Sequence, residues 1–199
     1  MIVLLWLIPA LAVRDSVVYR ILPASRLEVR TGKAGLFGFA GHEHRIRAGA
    51  FSGRVVYHAD APASSRVELV VPTDSLQVLT PPDTAEIRKV TAVMRTDVLN
   101  VVRYPEITFV SRMVTPSATG LHIVGALTLV GRTREVPVDV TLAIGGGTDT
   151  LRASATFTVK QSDFGIRPYR GGPGGTVRVA DRVGFEIHVV AVREPAPNR

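Results

Sequence analysis

Two histidines spaced two residues apart, His42 and His44, come closest to a chemical constellation in this chain. On a strand, residues i and i+2 project from the same face, so both imidazoles could meet one ion. A third ligand would have to come from elsewhere, with His58, His122, His188 or a carboxylate as candidates. Two ligands lacking a third do not make a metal site, and a hydrogen-bonded or solvent-facing pair near a strand start accounts for them equally well. No metal is assigned, and a metal-binding protein or metal-dependent enzyme using His42 and His44 stands as the alternative.

The other motifs carry less. Asp163-Phe164-Gly165 mimics the metal-binding tripeptide of protein kinases, but no Gly-rich loop, strand lysine motif or catalytic loop accompanies it. Gly171-Gly172-Pro173-Gly174-Gly175 lacks both a Gly-Lys-Ser/Thr ending and a following helix, so it reads as a flexible loop, not a phosphate cradle. Gly49-Ala50-Phe51-Ser52-Gly53 has the wrong spacing for a nucleophile elbow. Asp and Glu are scattered, and their sequence positions bring no pair together for acid–base work. The absence of cysteine removes disulfides, thiolate chemistry and Cys-based metal sites. No catalytic residue and no cofactor is assigned, and the chain is not read as an enzyme.

The elements that would position these residues are strands. Leu121–Val130 and Arg134–Ile144 alternate with period two, joined by a tight Gly131-Arg132-Thr133 connection. Leu121, Ile123, Leu127 and Leu129 share one face of the first, with Gly125 keeping the register. Val136, Val138, Val140, Leu142 and Ile144 share one face of the second, which marks antiparallel strands with one wet and one buried side. Further strands are expected at Val17–Leu22, Arg26–Thr31, Glu43–Ala48, Ala50–Ala59, Arg66–Val71, Glu106–Thr115, Leu151–Lys160 and Val177–Val192, most bounded by Gly, Pro, Ser or Asp. One segment departs from this: Ile87, Val90, Met94 and Val98 recur at helical spacing, so Asp83–Leu99 should be a helix across one end of the sheet. Regularly spaced strands suggest a barrel or sandwich, and the up-and-down order favours an all-β, antiparallel barrel. The alternation alone leaves open which face of Val177–Val192 points inward.

Composition sets the remaining bounds. The 199 residues fit one domain, and 46% hydrophobic content with only 6% aromatic gives a core of Val, Leu, Ile and Ala. Met1–Ala12 is an uncharged apolar run ending in Ala10-Leu11-Ala12, and Arg14 and Asp15 follow at once. This resembles a short signal peptide without its basic start; a buried first strand or an interfacial anchor is the alternative. Residues 1–12 are thus expected to be a leader, 13–192 one barrel domain and 193–199 a flexible tail, with a periplasmic or secreted location. The formal charge of +7 is dispersed, with no Lys/Arg block and no aromatic interleaving, which argues against nucleic acid. Contact with a membrane surface and a homodimer are partners the sequence leaves open.

Phe37, Phe39, Phe51, Phe109, Phe157, Phe164 and Phe185 are spread over many strands or their ends. With Gly and Ala interspersed they would line an elongated apolar cavity, or else pack an ordinary core, since a small barrel either fills its interior or encloses one ligand.

An ordered set of short strings carries a resemblance. Phe51-Ser52-Gly53 and Asp74-Ser75-Leu76 come first, then Arg103-Tyr104-Pro105-Glu106-Ile107-Thr108-Phe109-Val110-Ser111 and Val124-Gly125-Ala126-Leu127-Thr128-Leu129-Val130-Gly131-Arg132-Thr133. Ser162-Asp163-Phe164-Gly165-Ile166 and Val179-Ala180-Asp181-Arg182-Val183 follow. Together they resemble the YceI-like family of exported lipid-binding proteins over about residues 18–192. The family's D-x-H-L string has no counterpart here, with Thr91-Ala92-Val93-Met94 in that region, and Gln161 stands where a basic residue often precedes Ser-Asp-Phe-Gly. The resemblance implies a lipocalin-like elongated barrel with one helix near its mouth, holding a polyisoprenoid, an isoprenoid quinone or a similar amphiphile. The expected ligand-binding residues are then Phe39, Phe51, Phe109, Leu127, Leu129, Val138, Val140, Phe157, Phe164 and Phe185. A filled barrel with a structural or stress role is the other alternative.

Overall fold

The computed structural model describes residues 16–33, 43–79, 84–145, 149–171 and 177–195. The expected leader, Phe37, Phe39 and His42 lie outside these residues. Twelve strands form among those described, and every pairing is antiparallel. They are β1 (Val17–Ile21), β2 (Arg26–Lys33), β3 (His44–Ala48), β4 (Ser52–Tyr57), β5 (Arg66–Pro72) and β6 (Leu76–Val78). After the helix α1 (Thr84–Val93) come β7 (Glu106–Ser117), β8 (Gly120–Leu129), β9 (Arg132–Ile144), β10 (Thr150–Lys160), β11 (Arg170–Gly171) and β12 (Val177–Arg193).

Eight of these strands close into a barrel in chain order, β1-β4-β5-β7-β8-β9-β10-β12, with β12 returning to β1. Closure leaves no free edge within the ring. The strict meander is broken at one place. The 17-residue β12 offers one edge to β10 and its other edge first to β2 and then to β1, so β2, β3 and β6 branch from the ring as an annex. The bend between β1 and β2 is held by Ser25, whose Oγ donates to the Val190 carbonyl at 3.1 Å and accepts the Val190 N–H at 2.9 Å.

The alternation read on β8 and β9 is borne out by burial: Leu121, Ile123, Leu127, Leu129, Val136 and Val138 are all buried. Register also settles the direction of β12. Phe185 lies opposite Val29 and Phe157, and Ile187 opposite Leu27 and Ala155, so the Phe185–Ile187–Val189 face points inward and Glu186 and His188 point out. The β8–β9 reversal is tighter than expected: Val130 (φ 43°) and Gly131 (φ 72°) form the turn, and Arg132 and Thr133 already belong to β9. Two positive φ values in succession match the twist of a tight hairpin.

The helical segment divides in two. α1 gives way to a π-helical turn over Met94–Val98, and of the residues in these two pieces only Met94 is buried. Met94 packs with Leu27, Ala48, Val71, Leu76 and Val78, with Ile87 and Val90 beside it, so α1 covers the annex at one end of the barrel. Its spacing of apolar residues is that of a helix with one inward stripe.

Candidate ligand cavity

The inner faces of the strands enclose a cavity of about 180 Å³. Its wall is drawn from the ring and the annex alike, including Ile21, Leu27, Val55, Leu69, Ile107, Leu151 and Ile187. Glu28 and Ser154 also border it, but alternation sets their side chains opposite Leu27 and Val29 on β2 and opposite Ala153 and Ala155 on β10. The side chains facing the cavity are therefore apolar throughout. A site of this kind binds by removing hydrocarbon from water and discriminates by shape, having no polar group of its own to orient a charge.

Of the residues expected to line a cavity, Phe109, Leu127, Val138, Val140, Phe157 and Phe185 do border this one. Phe157 and Phe185 stack with ring centroids 4.7 Å apart, directly paired across β10 and β12. Leu129 and Phe164 sit elsewhere, in a packed cluster with Leu127, Val136, Val159, Ile166 and Val183 that fills one end of the barrel. Phe51 precedes β4 and wedges between the clusters around Leu76 and around Tyr19. Phe39 lies outside the described residues. Beyond Leu127, Val138 and Val140, the aliphatic wall was not among the expected lining, although the alternation of Val67, Leu69 and Val71 on β5 already puts those three on one face.

The filled end is fastened by the loop after β10. Gln161–Phe164 forms a 3₁₀ turn closed by Gly165 at φ 75°, which directs Phe164 inward until it is 1% exposed. Asp181 holds this turn from β12, accepting the Ser162 N–H at 2.8 Å and the Ser162 hydroxyl at 2.6 Å. These two hydrogen bonds hold the Asp181 carboxyl below its ordinary pKa. Gln161 donates from Nε2 to the Ala180 carbonyl at 2.9 Å, so the residue that departs from the family's basic one has a structural partner. The opposite end carries a more open recess of about 470 Å³, bordered by Tyr57, Pro62, Pro116, Thr119 and Ile144. Leu121 and Leu142 border both this recess and the cavity.

Charge is confined to the outer wall. Glu28, whose side chain is 1% exposed, accepts from Arg47 Nε at 2.8 Å, with Arg45 Nε at 3.7 Å. On the neighbouring β12, the His188 ring lowers the Glu186 pKa most, with Arg30 and Arg26 adding to the effect. His44 heads β3, and its N–H donates to Thr31 Oγ1 at 3.2 Å. Among the described residues no three His, Asp or Glu side chains gather as a metal would require.

Three comparisons bear on identity. The YceI protein of Escherichia coli is 32% identical over 122 residues, 59% of this chain and 60% of that protein. A UPF0312 protein of Yersinia enterocolitica is 32% identical over 121 residues, 58% of this chain and 59% of its own length. The chain thus spans about three fifths of the length of these relatives. Among solved structures, BcnA of Burkholderia cenocepacia aligns at a TM-score of 0.66 with 22% identity, covering 84% of this chain and 96% of that one. A polyisoprenoid binding domain from Saccharophagus degradans aligns at 0.63 with 12% identity, covering 90% and 100%. At these identities the structures share the fold. The family model described as the YceI-like domain matches residues 22–191, nearly the whole of the barrel just described, and the chain belongs to the YceI-like family.

Proposed function

We propose that this chain is an exported carrier that holds a long-chain amphiphile, a polyisoprenoid or an isoprenoid quinone, with its tail in the barrel cavity. The observation that carries this reading is the cavity wall, whose inward side chains are apolar throughout. Each methylene taken from water into such a wall contributes about 0.8 kcal/mol, so a prenyl tail supplies several kcal/mol before the cost of immobilising it. Membership of the YceI-like family and the likeness to a domain described as polyisoprenoid-binding support the same ligand class. A binding role, with no bond made or broken, suits a cavity onto which, among the described residues, only apolar side chains face.

The uncharged run Met1–Ala12 with its Ala10-Leu11-Ala12 end supports an exported, periplasmic or secreted protein. The excess of seven positive charges suits loading and unloading at an anionic membrane surface.

Native mass spectrometry of the protein purified from its own host tests the proposal. A mass excess that disappears on organic extraction, and is recovered in the extract as a long-chain lipid, is expected. Coincident masses before and after extraction would overturn it.

A further inference from the structure

β8 has one inward position without a side chain, and that gap is occupied. Gly125 falls between Ile123 and Leu127 on the inner face, yet it does not border the cavity as they do. A β-carbon built on Gly125 would lie 2.1 Å from Phe109 Cζ and 2.3 Å from Cε2. Carbon atoms in contact stand about 3.5–4.0 Å apart, so the ring already fills the place of the missing side chain. Register explains how it gets there. Phe109 pairs with Leu127 and Ser111 with Gly125, so the ring leans two positions along β8, a diagonal reach open to aromatic side chains. Leu69 of β5 lies directly opposite Phe109 on its other flank, which leaves the cavity as the free side.

We infer that Gly125 sets the bore of the cavity, by giving the Phe109 ring a niche in the wall so that it lies flat beside the bound tail. Any side chain at position 125 pushes the ring into the space a ligand would take. The effect grows with the width of the tail, so a methyl-branched prenyl chain is excluded before a straight one. This inference rests on the lipid-carrying function proposed above.

The test compares geranylgeraniol with hexadecanol, a methyl-branched and a straight-chain alcohol, binding to delipidated protein. Gly125→Ala is expected to weaken geranylgeraniol binding by about tenfold or more, the scale of overpacking by one carbon, and hexadecanol binding by less. Adding Phe109→Leu to Gly125→Ala, which removes the displaced ring, should restore geranylgeraniol affinity to within about threefold of the parent. A folded Gly125→Ala protein that keeps the parent's affinity would overturn the inference, as would a double variant that melts like the parent but fails to recover binding. Failure of the parent protein to bind either alcohol would instead refute the carrier function on which the inference depends.

Discussion

The two ends of the barrel solve opposite problems with the same kind of residue. At one end Leu129, Val136, Val159, Phe164 and Ile166 meet in one buried cluster, and a 3₁₀ turn pinned by Asp181 drives the aromatic ring home. At the other, Leu121 and Leu142 stand between the cavity and an open recess, which Pro116 near the end of β7 and the neighbouring Pro62 and Thr119 also border. Apolar side chains therefore act as a stopper where a local turn forces them together, and as a wall where strand curvature holds them apart. Hydrophobicity alone does not distinguish the two; the backbone around it does.

That contrast should break first at Phe164. Phe164→Ala empties a fully buried site and is expected to lower stability by about 3–5 kcal/mol in denaturant unfolding. Leu142→Ala, at the half-buried recess end, should cost about 1–2 kcal/mol. Equal losses would mean that both ends are packed alike. An effect of similar size is expected at Gly165, where Ala would have to adopt φ 75° and meet the Arg132 guanidinium 2.7 Å away; thermal melts should show a loss of about 1–2 kcal/mol. Among the described residues no matching glycine turn buries an aromatic ring at the recess end, so this sensitivity belongs to the stopper.

The smallest effect is a pH dependence. Asp181 has its folded pKa below the unfolded carboxylate value of about 3.9, so its stabilising contribution is fully present above that value. It is lost as pH falls through the lower, folded pKa. Asp181→Asn should accordingly be less stable than the parent at neutral pH, with the difference shrinking in unfolding curves taken below about pH 4. A difference that stays constant on acidification would show that the carboxylate charge does not hold the turn.

How much of this was legible in the sequence depends on the range of the interaction. β8 and β9 were readable because ten or more residues alternate without interruption, and their inward faces follow from that alone. β6, three residues long, is too short to show a period and was missed. For β12 the run Val189-Val190-Ala191-Val192 blurs the alternation, and only pairing with β2, more than a hundred residues earlier, picks out Phe185 and Ile187. Phe164 has the residue type of a cavity wall, and the sequence reads as one there. Its true place is set by Gly165 and Asp181, a local turn and a distant carboxylate that no apolar pattern reports. The annex was invisible for a similar reason: β1 and β2 read as two ordinary strands, and nothing in either says that they share one edge of β12.

That shared edge has a consequence for how the molecule is made. Ser25 and Val190, which stitch it together, are 165 positions apart. Chains dominated by such distant contacts reach their native state slowly, over milliseconds to seconds, because a large loop must close before the contact repays it. Until β12 docks against β1 and β2, the strands from β4 to β10 can form only an open, curling sheet with one oily side and nothing enclosed. The pairing of β12 is thus what turns that sheet into a vessel, and the surface that would grip a lipid is enclosed only once it is made.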